Sequence, residues 1–277
     1  MGYAFQHGDF AIEILSDGHI SIPADMVVAA ARPEERAGML ERLAPRDGSL
    51  EINTNIPLIR TGADIILVDV GAGPKYQPTD GHLSRNLAAT SLAPEAVTKV
   101  VFSHAHPDHI WGTIAEDGRL RFPNAIYYVG EMEWAFRMDP DYATTMPAGL
   151  HDLARGAQRD LGAIADRVVL LKPGQEVVTG MRALDTAGHT PGHLSFELSG
   201  EAGLIITADA ATNQIVSFEH PEWSFGYDTI PDLAIRNRVR LGDRAAGDRV
   251  KLLGYHWAYP GIGHVERGRD GAHFLPI

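Results

Sequence analysis

The run His104-Ala105-His106-Pro107-Asp108-His109 gathers three imidazoles and one carboxylate into six residues. No other stretch restricts the fold of the chain as strongly. It follows Lys99–Phe102, a short apolar, β-branched segment that reads as a strand, with Ser103 at its end. Extended residues two apart share a face, so His104 and His106 can converge on one point. Pro107 forces a turn and frees Asp108 and His109 to address a second point close by. Buried without a cation, such a set would be costly, because polar groups removed from water need partners. The spacing therefore predicts a metal centre with two positions.

The chain has no cysteine, so disulfides and thiolate ligands are excluded and any metal must be held by nitrogen and oxygen. Zinc is the expected metal for such donors, and manganese, iron or cobalt would also fit. With 36 acidic against 24 basic residues the formal charge is -12, which repels polyanions and argues against nucleic acid as substrate or partner. The first ten residues lack a basic segment followed by an apolar stretch, and no run is long enough to span a bilayer. A cytoplasmic protein without a membrane partner is the expectation.

At 277 residues, 44% hydrophobic and 22% charged, the chain has enough apolar material for a large core. Strands are predicted at Phe10–Leu15, Ile56–Arg60, Asp64–Val70, Lys99–Phe102, Ala125–Val129, Arg167–Leu171, Leu194–Leu198, Leu204–Thr207 and Lys251–Gly254. Between them Pro147–Ala165 carries Leu150, Leu153, Ala154, Ala157, Leu161 and Ile164 on one helical face. A second helix is predicted after Thr229, with Pro231 in its first turn, Leu233, Ala234 and Val239 inward, and an end near Gly247. No linker or repeat divides the chain, so residues 1–277 read as one domain of two packed sheets with helices outside.

The motif resembles the His-x-His-x-Asp-His signature of the metallo-β-lactamase superfamily. The resemblance extends to Asp64–Gly73, Gly188-His189-Thr190-Pro191-Gly192-His193, Thr207-Ala208-Asp209-Ala210 and Gly254-Tyr255-His256-Trp257. It implies a four-layer αββα sandwich. It also implies that His104, His106 and His189 hold one metal, Asp108, His109 and His256 a second, and Asp209 bridges the two. On the same basis His193 and His264 are expected to support or pack rather than bind. Asp69, at a strand end, would suit orienting a ligand imidazole through its other N–H, and it reads equally as a turn residue.

Two metals sharing a hydroxide suit hydrolysis at a carbonyl or phosphoryl centre. The stretch Gly254–His264 is similar to the branch containing N-acyl-homoserine lactonases and methyl parathion hydrolase-like enzymes. The expectation is a hydrolase that opens a lactone or related ester, with Asp108 and Asp209 as catalytic carboxylates and a small hydrophobic molecule as substrate. A phosphotriesterase or arylesterase is the first alternative, and a redox di-iron protein or an idle metal-binding module the remoter ones. Many lactonases of this branch carry a tyrosine three residues after the bridging aspartate, where this chain has Thr212. Candidate pocket aromatics are Trp111, Trp223, Phe225 and Tyr227, whereas Trp134 and Phe136 read as core; exposed aromatics would equally serve a homodimer interface.

Overall fold

The protein is described by a computed structural model over residues 2–269 and 271–277. Strands β1 (Tyr3–His7), β2 (Phe10–Pro23), β3 (Ser49–Thr61), β4 (Asp64–Val68), β5 (Lys99–Val101), β6 (Ile126–Gly130) and β7 (Val168–Leu171) form one sheet in chain order. The second sheet runs, likewise in chain order, through β8 (Glu176–Val178), β9 (Met181–Asp185), β10 (Leu194–Leu198), β11 (Leu204–Ile206), β12 (Lys251–Leu253), β13 (Ile262–Gly268) and β14 (Gly271–Pro276).

Period-two alternation explains how the layers stack. In β4, Ile66 and Val68 enter the core between the sheets, where they join Phe10, Ile12, Phe196 and Ile206. Leu67, between them, points the other way and packs with Val100, Tyr127, Ala157 and Leu161 under the helix His151–Ala163. On the far side Ile205 and Leu252 meet Leu241 and Ala245 of the helix Pro231–Asp248. Each sheet thus buries both faces, and the expected αββα order results.

The pairs β4/β5 and β11/β12 are parallel, so their carboxyl ends open at one rim of the sandwich. Loops from those ends carry Asp69, His104 to His109, Asp209 and His256. Ligands of α/β sheets gather in such crevices.

Several predicted boundaries shift. Strand β2 does not stop at Leu15: it continues through Ser16-Asp17-Gly18 with an irregularity in the pairing with β3. Gly18 is required there, since its φ is +115° and a Cβ would lie 2.1 Å from the Thr79 carbonyl oxygen. The first predicted helix begins with a 3-10 turn at Ala148–Leu150, and Leu150 is exposed rather than packed inward. In the helix Pro231–Asp248, Val239 is also exposed, because the inward stripe runs through Ala234, Asn237, Arg238, Leu241 and Ala245. Two polar residues on that stripe hide it from a hydrophobicity pattern. Arg238 is accommodated because its guanidinium donates to the Ala210 and Trp223 carbonyls and to Asp228.

One buried acid of the helix His151–Ala163 sets a pH dependence. Asp160 has no exposed surface, and burial lifts its pKa to about 6 despite Arg159 and Lys75 nearby. Because the folded value lies above the unfolded one, the stability this group permits is complete below about pH 4. It is lost as pH rises through about 6. Asp160→Asn removes that loss, so the variant is expected to exceed wild type by about 1–3 kcal/mol at pH 8 and to match it near pH 4. Urea midpoints measured at both values check this, and an equal gap at the two would contradict it.

Candidate metal centre

The loop after β5 runs extended through His106, whose φ of -76° and ψ of 158° make it the cap residue of a single helical turn at Pro107–Ile110. Proline suits that first helical position. The turn reverses the direction in which Asp108 and His109 project. His104 Nε2 and His106 Nδ1 lie 2.9 Å apart, and His189 Nε2 lies 3.0 Å from the same His106 nitrogen. Asp209 Oδ2 closes this group at 3.2 Å from His189 Nε2. The second group comprises Asp108, His109 and His256, with Asp108 Oδ2 3.4 Å from His109 Nε2 and 3.3 Å from His256 Nε2. Asp209 Oδ1 faces this group, 3.4 Å from His109 and 3.3 Å from His256. One carboxylate therefore turns an oxygen to each side.

The outer ring nitrogens are fixed. His109 Nδ1 donates to Asp69 Oδ2 at 2.8 Å, His189 Nδ1 to Asp228 Oδ1 at 3.1 Å, and His256 Nδ1 to the Asn53 carbonyl at 2.9 Å. Ser103 Oγ donates to Asp69, which leaves its lone pair to accept from His104 Nδ1 at 3.0 Å. With those protons on the outside, the inner nitrogens present lone pairs to one another. Lone pairs at such distances need a shared cation. Two orphaned atoms make the same point: His109 Nε2 and Asp209 Oδ1 are buried without any hydrogen-bond partner. The donor set fits two divalent ions.

Electrostatics divide the centre. Burial and the neighbouring imidazoles hold His104 and His106 well below the ordinary histidine value. Burial also opposes charge on His256 and His189, but Asp209 and Asp108 lift the first to about 10, and Asp209 with Asp228 lift the second to about 8. The imidazoles that face these carboxylates, one in each group, thus attract positive charge of either kind, proton or metal.

Supporting residues complete the site. Glu133, fully buried, accepts from Ala105 N at 3.0 Å and from Arg137 Nε at 2.8 Å through one oxygen. Its other oxygen accepts from Thr190 Oγ1 at 2.6 Å and Gly192 N at 3.3 Å. It ties the His104–His109 loop to the loop carrying His189. Gly192 has no room for a side chain there, since a Cβ would lie 1.9 Å from Glu133 N. Tyr255 stacks on His109 and donates to the Asp108 carbonyl at 2.7 Å.

Of the residues singled out by sequence, His104, His106, Asp108, His109, His189, Asp209 and His256 converge. Asp69 touches His109 as described. His193 stays outside both groups: its Nε2 accepts from the Asp209 backbone N–H at 3.1 Å and its Nδ1 meets Thr186. His264 lies on β13 opposite Leu275, away from the centre. Thr212 is buried and does not line the pocket.

That pocket, about 440 Å³, opens over His106, Asp108, His189, Asp209 and His256. Phe225 and Tyr227 line it, whereas Trp111 packs edge-on against Tyr76 in the core and Trp223 stacks on His220. Trp134 packs against the core as read, but Phe136 lines the cavity. Helical spacing places Phe136 on an apolar face without saying that the face borders a void. Asp228 and Glu133 escaped sequence reading because isolated acids in polar segments carry no periodic signal.

A two-sheet αββα sandwich with this rim of imidazoles and carboxylates defines a class. The family description "Metallo-beta-lactamase superfamily" matches residues 51–262, and the chain belongs to that superfamily. Among solved structures it is similar to AidC, a dizinc quorum-quenching lactonase in complex with a product N-hexanoyl-L-homoserine. Identity is 25%, with 100% of this chain and 97% of that one covered at a TM-score of 0.90. The hydrolase AbOPH of the beta lactamase superfamily is 28% identical, with the same coverage of 100% and 97% and a TM-score of 0.90. A third, an N-acyl homoserine lactone hydrolase with N-hexanoyl-L-homoserine at its catalytic metal center, is 20% identical. It covers 89% of this chain and 92% of its own at a TM-score of 0.64, a likeness of fold. A comparison with curated proteins by sequence gives no match.

Proposed function

We propose that the chain, acting as one domain, is a dinuclear-metal hydrolase that opens a lactone or a closely related ester. The observation that carries this reading is the split of Asp209, one oxygen toward each ligand group, at the floor of a largely apolar cavity. His104, His106 and His189 would hold one ion and Asp108, His109 and His256 the other, with Asp209 between them. Zinc is the metal we expect, by the nitrogen and oxygen donors and by similarity to the dizinc AidC. Bound there, the cations would acidify a shared water and polarise the scissile carbonyl.

The protein's own residues do the rest. Asp69, Asp228 and the Asn53 carbonyl fix the ring tautomers, and Ile20, Ile22, Ile52 and Phe136 offer apolar surface that excludes water from the ester. Asp108, beside the cavity floor, is placed to take part in proton transfer. Thr212 is buried off the cavity, and the phenols that line it are Tyr76, Tyr142 and Tyr227.

After chelation the protein is expected to be inactive, and zinc, manganese or cobalt should restore turnover. The restored enzyme, assayed on lactones of graded chain length, aryl esters, phosphotriesters and thioesters, should favour a lactone in kcat/KM by about tenfold or more. Greater turnover of a phosphotriester than of any lactone would replace this reading with the phosphotriesterase one. We also place the protein in the cytoplasm; among the described residues no helix is long and apolar enough to cross a membrane.

A further inference from the structure

Two aromatic residues of the cavity wall, Phe225 and Tyr227, lie in residues 220–230, which join the helical turn Val216–Glu219 to the helix Pro231–Asp248. The segment forms neither helix nor strand, so no ladder of backbone bonds holds it in place. A buried carboxylate supplies the missing anchor. Asp228, whose side chain has no exposed surface, accepts from His189 Nδ1 at 3.1 Å through one oxygen. Its other oxygen accepts from Phe225 N at 2.9 Å and from Arg238 Nη2 at 3.0 Å. The Phe225 ring also stacks on the His189 ring, with centroids 5.9 Å apart. A candidate ligand and the cavity wall thus share one acid.

Arg238 fastens that acid from behind. Its buried guanidinium forks across three segments, with Nη2 on Asp228, Nη1 on the Trp223 carbonyl at 2.7 Å and Nε on the Ala210 carbonyl at 3.2 Å. Ala210 directly follows Asp209, the carboxylate that faces both ligand groups. One side chain therefore joins the wall segment at two points to the backbone beside the centre. With its outer N–H committed to Asp228, His189 turns a lone pair inward, 3.0 Å from His106 Nδ1 and 3.2 Å from Asp209 Oδ2. Such acceptors repel one another unless a cation lies between them. The ring is then fixed from inside only when an ion is held there, and Asp228 passes that position on to Phe225. The transfer works only if Asp228 cannot swing away, which the Arg238 fork prevents.

We propose that Arg238 is a positioning residue that couples metal occupancy at His189 to the shape of the cavity. The wall against which the apolar part of a substrate packs is then complete only in the metal-loaded protein. This rests on the reading of the centre as a metal site, whichever ester the enzyme prefers.

Hydrogen exchange of the full chain, metal-free and zinc-saturated, tests the coupling, with zinc content measured on the same preparations. In wild type, zinc should slow exchange of the amides of residues 223–228 by about tenfold or more. In Arg238→Lys, which keeps a cation beside Asp228 but not the fork, that ratio should fall below about threefold. Its kcat/KM on the best substrate of the panel above should drop about tenfold, chiefly through KM. A merely structural Arg238 would loosen the segment equally with and without zinc, so a ratio that the variant leaves unchanged overturns the proposal, as does an unchanged KM. Zinc that leaves residues 223–228 unaffected in wild type overturns it without recourse to any variant. If wild type takes up zinc and hydrolyses nothing, the hydrolase reading fails while the exchange ratios still decide the coupling. A protein that takes up no zinc would end both.

Discussion

Asp209→Ala is expected to bind no more than about one metal ion per chain and to lose on the order of a thousandfold in kcat/KM. Each of the other six candidate ligands serves one group, whereas Asp209 alone lies in reach of both, at 3.2 Å from His189 and 3.3 Å from His256. Removing it leaves the five imidazoles of the two groups facing each other with only Asp108 to offset the charge of two cations. Elemental analysis and steady-state assays on the same preparation check this, with circular dichroism to establish folding. A folded variant that retains two ions and near-normal turnover would remove Asp209 from the bridging role.

Glu133→Ala should be the most damaging change outside the ligand set. Burial alone would raise the Glu133 carboxyl, but Arg137, Thr190 and the Ala105 N–H outweigh it and hold the group below the usual glutamate value. Truncation would strand Arg137 without its partner and free three backbone or hydroxyl donors of the loops that carry the candidate ligands. The expected cost is about 3–5 kcal/mol, or roughly 10 °C in Tm, with metal affinity down about 10- to 100-fold. Because the folded pKa is depressed, the benefit of Glu133 is complete above the unfolded value and is lost as pH falls through the folded one. The gap between variant and wild type should therefore narrow in acid. Thermal melts at neutral and acidic pH, with a chromophoric chelator in competition for metal, would expose an unchanged stability or affinity.

Much of this arrangement was legible in the residues. Short apolar, β-branched runs marked nine of the fourteen strands among the described residues, with β2 and β3 caught only in part, since burial on both faces demands continuous apolar segments. The candidate ligands were legible because chemistry leaves few other reasons for so many imidazoles beside Gly-rich turns. The remaining strands were hidden by composition. Strands β8 and β9 are short and rich in charge, and β13 and β14 form an exposed hairpin with Glu266, Arg267 and His273 among their residues. What lay beyond the sequence was pairing at a distance. Nothing near Asp228 announces His189, and nothing near Glu133 announces Thr190, because those contacts exist only once separate loops meet. Arg238 and Asn237 broke the helical stripe for a related reason: they donate to carbonyls of other segments, Arg238 to Ala210 and Asn237 to Ala187.

The ligand groups also span the two halves of the chain. His104, His106, Asp108 and His109 extend from the first sheet, whereas His189, Asp209 and His256 hang from the second. Ions bound at that rim would act as rivets through a seam closed elsewhere by apolar contact and by hydrogen bonds such as those of Glu133 and Asn55. Any ligand that binds only the native state adds its binding free energy to stability, so metal supply would govern the lifetime of the protein as well as its activity. Starved of metal, the sandwich would loosen at the rim where the sheets meet, which is where the cavity opens.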